Sequence, residues 1–206
     1  MAKEKKGIKA DFNLITILTI PIAIAINFIV GNLVLTLRLP VYLDSIGTFL
    51  VSLLAGPWVG GITGVLSIAI NSVADPAVLP YTIVAGVAGI LVGFMARKKM
   101  FTNVKGLIVS TVILSIASVI LSIVVVIVFF GGFDSTGTSI VAGVLMSAGV
   151  PFLPARFLSG FISEVPDKII SLLVPYLVVK GMSDRYLYKF SNGPLFIEAR
   201  KAKEGK

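Results

Sequence analysis

The chain contains no cysteine and no histidine. Disulfides, thiolate nucleophiles, cysteine-bound zinc and histidine acid/base chemistry are therefore excluded. Charge is scarce as well: 14% of the residues are Asp, Glu, Lys or Arg, and none of these occurs from Ser45 to Ala74. There is no G-x-x-x-x-G-K-[ST] loop, so the chain is not expected to hydrolyse ATP itself. What is present is apolar mass. Of 206 residues, 56% are hydrophobic and the mean hydropathy is +1.01, a composition suited to a lipid bilayer.

The net charge of +8 raises nucleic acid as a partner, but the positions of the basic residues point elsewhere. Lys3, Lys5, Lys6 and Lys9 precede the first apolar run. Arg97, Lys98, Lys99 and Lys105 cluster in mid-chain, and the rest gather from Lys180 onward, leaving only Arg38, Arg156 and Lys168 apart. Three blocks of this kind mark cytoplasmic loops of a membrane protein, and no nucleic-acid partner is expected.

A helix needs about 20 apolar residues to cross a hydrocarbon core about 30 Å thick. The runs 14–37, 79–96, 106–130 and 155–179 meet that length. If all three basic clusters face the cytoplasm, an even number of crossings separates each pair. The uncharged stretch after Asp44 must then cross twice, since one helix of its length would reach roughly 45 Å. Gly56–Pro57 is the natural turn, with proline tolerated at the start of the second helix. The expectation is an all-α bundle of six transmembrane helices at 14–37, 42–55, 57–73, 79–96, 106–130 and 155–179. Both termini are expected in the cytoplasm, with one membrane domain over 1–180 and a basic cytoplasmic tail over 181–206. The segment 141–150 is apolar but too short to span, and it follows "GGFDSTGTS" and precedes "PFLP". It is expected to form an outer lid or re-entrant segment between the fifth and sixth spans. "AIA" at 23–25 resembles a signal-peptide cleavage site, but the apolar run continues past it to Leu37, which argues for a retained helix.

This topology gives each polar residue a depth. Asn27 and Asn32 fall in the outer half of the first span, and Arg38, Tyr42 and Asp44 in the loop after it. Asn71 and Asp75 lie at the outer end of the third span, Tyr81 opens the fourth, Asp134 belongs to the lid and Arg156 opens the sixth. Polar groups at membrane depth are costly unless they face partners, a cavity or a ligand. Their gathering at one face implies a pocket open to the outside and sealed below. Snorkelling or helix capping is the alternative for Arg38, Asp75 and Asp134.

The sixth span, "FLSGFISEVPDKIISLL", places Glu164, Asp167 and Lys168 in mid-membrane. Arg156, Ser159, Ser163 and Asp167 follow steps of three and four and share a face. Glu164 and Lys168 form an i, i+4 pair in the favourable order. Arg156, Ser159 and Glu164 are read as ligand-binding, and Asp167 with Lys168 as a structural ion pair.

Small residues recur at helical spacing as Thr19, Ala23, Asn27 and Gly31, as Gly56, Gly60 and Gly64, and as Ser115, Ser118 and Ser122. Such stripes let helices approach closely in lipid. The second and third read as internal packing. The first, interrupted by Pro21 and flanked by Ala25, presents a smooth surface for a partner membrane protein through Thr19, Ala23 and Ala25. Trp58 reads as an interfacial anchor.

The basic N-terminus, the small residues of the first span, the block "LPVYLDSIGTFLVSLLAGPWVGGITGVLSIAINS" and "VPDKIISLLVPYLVVKG" together resemble the S components of energy-coupling factor (ECF) transporters. The resemblance implies a vitamin-capturing subunit of the bacterial cytoplasmic membrane that binds substrate near its outer face. It further implies association with a transmembrane scaffold subunit and two cytoplasmic ATPases that use ATP, with toppling in the membrane as the delivery step. This chain itself would hold no cofactor and no metal. The family's A-x-x-x-A contact motif is matched here only at Ala23.

Among vitamins, a flat heteroaromatic one needs a stacking ring, which Phe133, Phe152, Phe157 or a tyrosine would have to supply. The roomy lid suits a corrinoid such as cobalamin, whose S components the chain also resembles. Pantothenate, with a carboxylate for Arg38 or Arg156, is the second candidate. A membrane sensor region and a stand-alone secondary transporter are the rival classes. A sensor would continue into a large cytoplasmic domain, whereas residues 180–206 read as a basic amphipathic tail lying near the anionic leaflet. A self-sufficient transporter would show inverted repeats, and none is evident.

Overall fold

The computed structural model describes residues 11–37 and 41–204, and all regular structure among them is helical. In chain order these are α1 (Leu14–Thr36), α2 (Ile46–Ala55), α3 (Pro57–Asn71), α4 (Thr82–Arg97), α5 (Val104–Phe130), α6 (Gly137–Ser147), α7 (Phe152–Gly181), α8 (Asp184–Leu187) and α9 (Gly193–Glu204). Short 3-10 turns precede α4 at Pro76–Tyr81 and α5 at Met100–Thr102.

Among the described residues, three segments are long and apolar enough to cross a membrane: Leu14–Val34, Pro76–Arg97 and Val104–Phe130. Their outer faces carry bare hydrocarbon. On α5 Ile108, Val112, Ile116 and Ile120 are all exposed, at a spacing that puts them on one side of the helix. A surface of this kind is compatible with a helical membrane protein. α7 is longer still at 30 residues, but it carries charge along its length.

The uncharged stretch is two helices, as its length requires, and they turn at Gly56. That residue has φ of 108°, where a side chain is disfavoured, and Pro57 opens α3 where its missing N–H costs nothing. α2 departs from expectation. It begins at Ile46 and not at residue 42, so its 10 residues cover about 15 Å, half a bilayer core. Residues 41–45 form a loop.

α3 and α4 meet through glycine. A Cβ on Gly89 would lie 2.4 Å from the Gly60 carbonyl oxygen, and one on Gly64 would lie 2.4 Å from that of Ala85. The backbones therefore touch directly, the close approach that small residues permit where lipid supplies no hydrophobic drive. The expected internal role of this stripe is what the structure shows.

α1 runs unbroken through Pro21, so the expected interruption there is absent. Its stripe of small residues also turns out to face inward. Ala23 is 2% exposed and packs so tightly on α2 that a Cβ at Gly47 would lie 2.1 Å from the Ala23 carbonyl oxygen. Thr19 is half-buried, with its hydroxyl on the Thr16 carbonyl, and only Ala25 of the expected contact set is exposed. The partner contact expected at Ala23 is thereby corrected: that surface is occupied by the chain's own α2.

The end of the bundle near Gly56 is closed. Phe49, Leu53, Val92, Leu114, Leu172 and Val179 form its apolar core. Both flanking segments seal the α2–α3 turn. The Asp11 carboxylate pairs with Arg97 and packs against Gly56, where a Cβ would lie 2.9 Å from its Oδ2. From the other side Ser191 Oγ donates to the Ala55 carbonyl at 2.9 Å and the Asn192 N–H to that of Leu54 at 2.9 Å. Carbonyls left unpaired at the end of α2 are thus satisfied. Asn13 Nδ2 joins the two segments through the Lys189 carbonyl at 3.1 Å. Trp58 lies beside them, partly exposed and edge-on to Phe94, consistent with an interfacial anchor.

Candidate functional site

At the opposite half of the bundle the helices enclose a cavity of ≈ 140 Å³, comparable to the roughly 150 Å³ space that takes up a benzene-sized guest. α7 supplies its chemistry. Arg156, Gly160, Glu164 and Lys168 all line it, and their four-residue spacing puts them on one side of the helix. Ser159, expected to bind ligand, is turned aside, as is Asp167, expected to pair with Lys168. The Ser159 hydroxyl is buried on the Arg156 carbonyl at 3.0 Å, and Asp167 points to the loop between α1 and α2.

Asp167 organises that loop. Its Oδ1 accepts the backbone N–H of Leu43 at 2.7 Å and that of Tyr42 at 3.2 Å. Leu43 holds φ of 48°, a left-handed conformation that a branched side chain disfavours. The consequence is that Tyr42 and Asp44 reach the middle of α7 and line the cavity, far below the shallow loop expected for them. Asp167 Oδ2 meets Lys168 Nζ at 2.7 Å, and Glu164 Oε2 meets the same ammonium at 2.9 Å. The expected ion pair is present and is a triad.

Around the rim, the Tyr81 hydroxyl and Ser139 Oγ both donate to Asp134, which also accepts from Thr136 Oγ1 at 2.7 Å. Arg156 Nη1 donates to Ser139 Oγ at 2.8 Å. These bonds fasten α6 over the cavity, with Thr136 and Thr138 in its lining. Burial alone would raise the Asp134 carboxyl, but hydrogen bonds from Ser139, Tyr81 and Thr136 outweigh it and hold the group below its ordinary value of 3.8. Tyr81 is also stacked on Phe130, with ring centroids 6.2 Å apart.

Two buried polar atoms at this site have neither a hydrogen bond nor an ion pair among the described residues. Ser118 is 1% exposed and its Oγ is unbonded; Arg156 is 4% exposed and its Nε is unbonded. Groups so placed normally find a bond. Apolar walls come from Ile68, Val84, Ala88, Val119 and Ile123.

Other expected site residues fall outside the cavity. Asn27 is completely buried as a clamp among three helices: Nδ2 donates to Thr48 Oγ1 at 2.8 Å and to Ser67 Oγ at 2.9 Å, and Oδ1 accepts the Gly47 N–H at 2.6 Å. Asn32 is exposed and turned back on the Phe28 carbonyl. Asn71 lies half-buried at the end of α3 with Oδ1 unbonded and is not among the cavity's lining residues. Asp75 caps the 3-10 turn through the Ala77 N–H. Arg38 lies outside the described residues. Conversely, Ser118, Ser122, Thr136 and Thr138 line the cavity although the sequence suggested only packing or a loop for them. The hydroxyl repeat on α5 and the "DSTGTS" run were the signals.

No family model, curated protein or solved structure matches the chain. What the fold defines by itself is an all-helical chain, among the described residues, compatible with a helical membrane protein. Its cavity, apolar-walled with polar groups along one side, opens the question of a small guest.

Proposed function

We propose that this protein is the substrate-capturing S component of an ECF-type vitamin transporter. In that reading α1, α2, α3, α4, α5 and α7 are the six spans, both termini lie in the cytoplasm of a bacterial cell, and α6 is the outer lid. The closed end with Gly56 and Arg97 then faces inward. A scaffold subunit and two ATPases would supply the driving force. With Ala23 buried, Ala25 is the member of the expected set that remains accessible to the scaffold.

The observation that carries the reading is the cavity itself. It places Tyr42, Asp44, Tyr81, Arg156 and Glu164 together in one half of a bundle whose other half has a large apolar core. Polar groups in that position are expensive without a ligand to justify them. Its volume supports a compact vitamin over cobalamin, whose corrin ring would require α6 to be displaced. Pantothenate is far nearer that size than cobalamin.

The test is calorimetric titration of the detergent-purified chain against B vitamins, without partner subunits. Tight binding of one vitamin is expected, weakened about ten-fold or more in Arg156→Ala through loss of a charged hydrogen bond. A folded protein that binds none of them, alone or with its energising subunits present, counts against the reading.

A further inference from the structure

The two ends of the α7 face differ in charge. Arg156 and Glu164 stand about 12 Å apart along the helix axis, with Gly160 between them leaving room. At the Arg156 end the guanidinium is turned to the lid through Ser139. At the Glu164 end the cavity is lined by Asp44, Glu164 and Lys168, with Asp167 directly behind. One ammonium thus stands near three carboxylates and pairs with two of them. Asp167 engages Lys168 and two backbone N–H groups, and Glu164 shares the same lysine. The Asp44 carboxylate has the Ser45 hydroxyl at 3.0 Å.

Uncompensated negative charge beside apolar walls is unfavourable, and a cation between the carboxylates relieves it. A second observation points to a guest in the same space. The unbonded Ser118 Oγ and Arg156 Nε belong to residues more than nine-tenths buried, and both residues line the cavity. They can serve an acceptor atom on the far side of a ligand.

We propose that the cavity takes a small cationic amine or amino-substituted heterocycle, with its positive or N–H-rich nitrogen between Asp44 and Glu164 and an acceptor atom toward Arg156 and Ser118. This rests on the capture reading above and deepens it by naming the ligand's charge. A carboxylate vitamin such as pantothenate would be repelled at the Asp44 end.

The experiment uses the full chain in lipid nanodiscs and calorimetry with five probes. Thiamine and pyridoxamine carry the cationic or amino group, pantothenate and biotin are anionic, and riboflavin is neutral. A cationic probe is expected to bind, with Asp44→Asn and Glu164→Gln each weakening it by about ten-fold or more. Asp44→Asn, in a loop and half-buried, provides the readout should Glu164→Gln fail to fold. Binding of an anionic or neutral probe with no cationic one, or unchanged affinity for the cationic probe in the folded variants, overturns the ligand assignment and leaves the capture reading standing. Failure of all five overturns the ligand assignment and counts against capture as well.

Discussion

The Asp167 carboxylate on α7 accepts the backbone N–H of Leu43 at 2.7 Å across 124 positions of sequence. One side chain therefore sets the depth of the loop that delivers Tyr42 and Asp44 to the cavity. It also shares the Lys168 ammonium with Glu164. Fold and site are coupled at this point.

Removing that carboxylate strands a buried lysine and frees the left-handed turn at Leu43. Asp167→Ala is expected to destabilise the protein by about 3 to 5 kcal/mol, the usual cost of breaking a buried ion pair from one side. Thermal unfolding in detergent measures it. A melting temperature equal to wild type would show that the triad contributes nothing to stability.

Asn27 separates structural from ligand-binding roles. Asn27→Ala removes three interhelical hydrogen bonds and should cost about 1 to 3 kcal/mol. Ligand affinity of the folded fraction should stay within about two-fold of wild type, because the side chain does not reach the cavity. Calorimetry on the variant distinguishes these effects; a large loss of affinity at unchanged stability would put Asn27 back among the ligand contacts.

The glycine crossing makes a prediction with an internal control. Gly89→Ala places a methyl group 2.4 Å from the Gly60 carbonyl oxygen, so α3 and α4 must separate and the folded yield should fall sharply. Gly143→Ala, on α6, meets nothing within 4 Å and should be neutral or slightly stabilising through helix propensity. Size-exclusion profiles of the two variants give the comparison.

The docking of α6 has a defined acid sensitivity. Asp134 is held below its ordinary value of 3.8, so it stabilises the closed arrangement above that pH and loses the contribution as pH falls through its lower folded value. Amide exchange across α6 should therefore accelerate only as the pH falls below about 4, after correction for intrinsic exchange. In Asp134→Asn that acceleration should disappear. Identical pH profiles for the two proteins would sink the idea.

The sequence disclosed what local chemistry governs. Long apolar runs bounded by charge located α1, α4 and α5, and glycine followed by proline located the α2–α3 turn. The four-residue spacing of Glu164 and Lys168 announced their pairing. Side-chain direction was less legible. Nothing local says that Asn27 and Ala23 face α2, because that depends on how α1 is rotated in the bundle. The depth of Tyr42 and Asp44 depends on an acceptor 124 positions away. On α7 the cavity face was obscured because glycine occupies its second position, so the visible polar repeat through Ser159 and Asp167 drew attention to the neighbouring side.

The seal at the Gly56 end also has a temporal side. Leu54 and Ala55 emerge from the ribosome far ahead of Ser191 and Asn192, which cap their carbonyls. During synthesis the hairpin exists with its turn unsatisfied, its carbonyls held by water or headgroups. The last folding event at that end is then the docking of residues synthesised after the entire helical bundle, and the bundle's closed end is finished from outside, like a stopper fitted once the vessel is made.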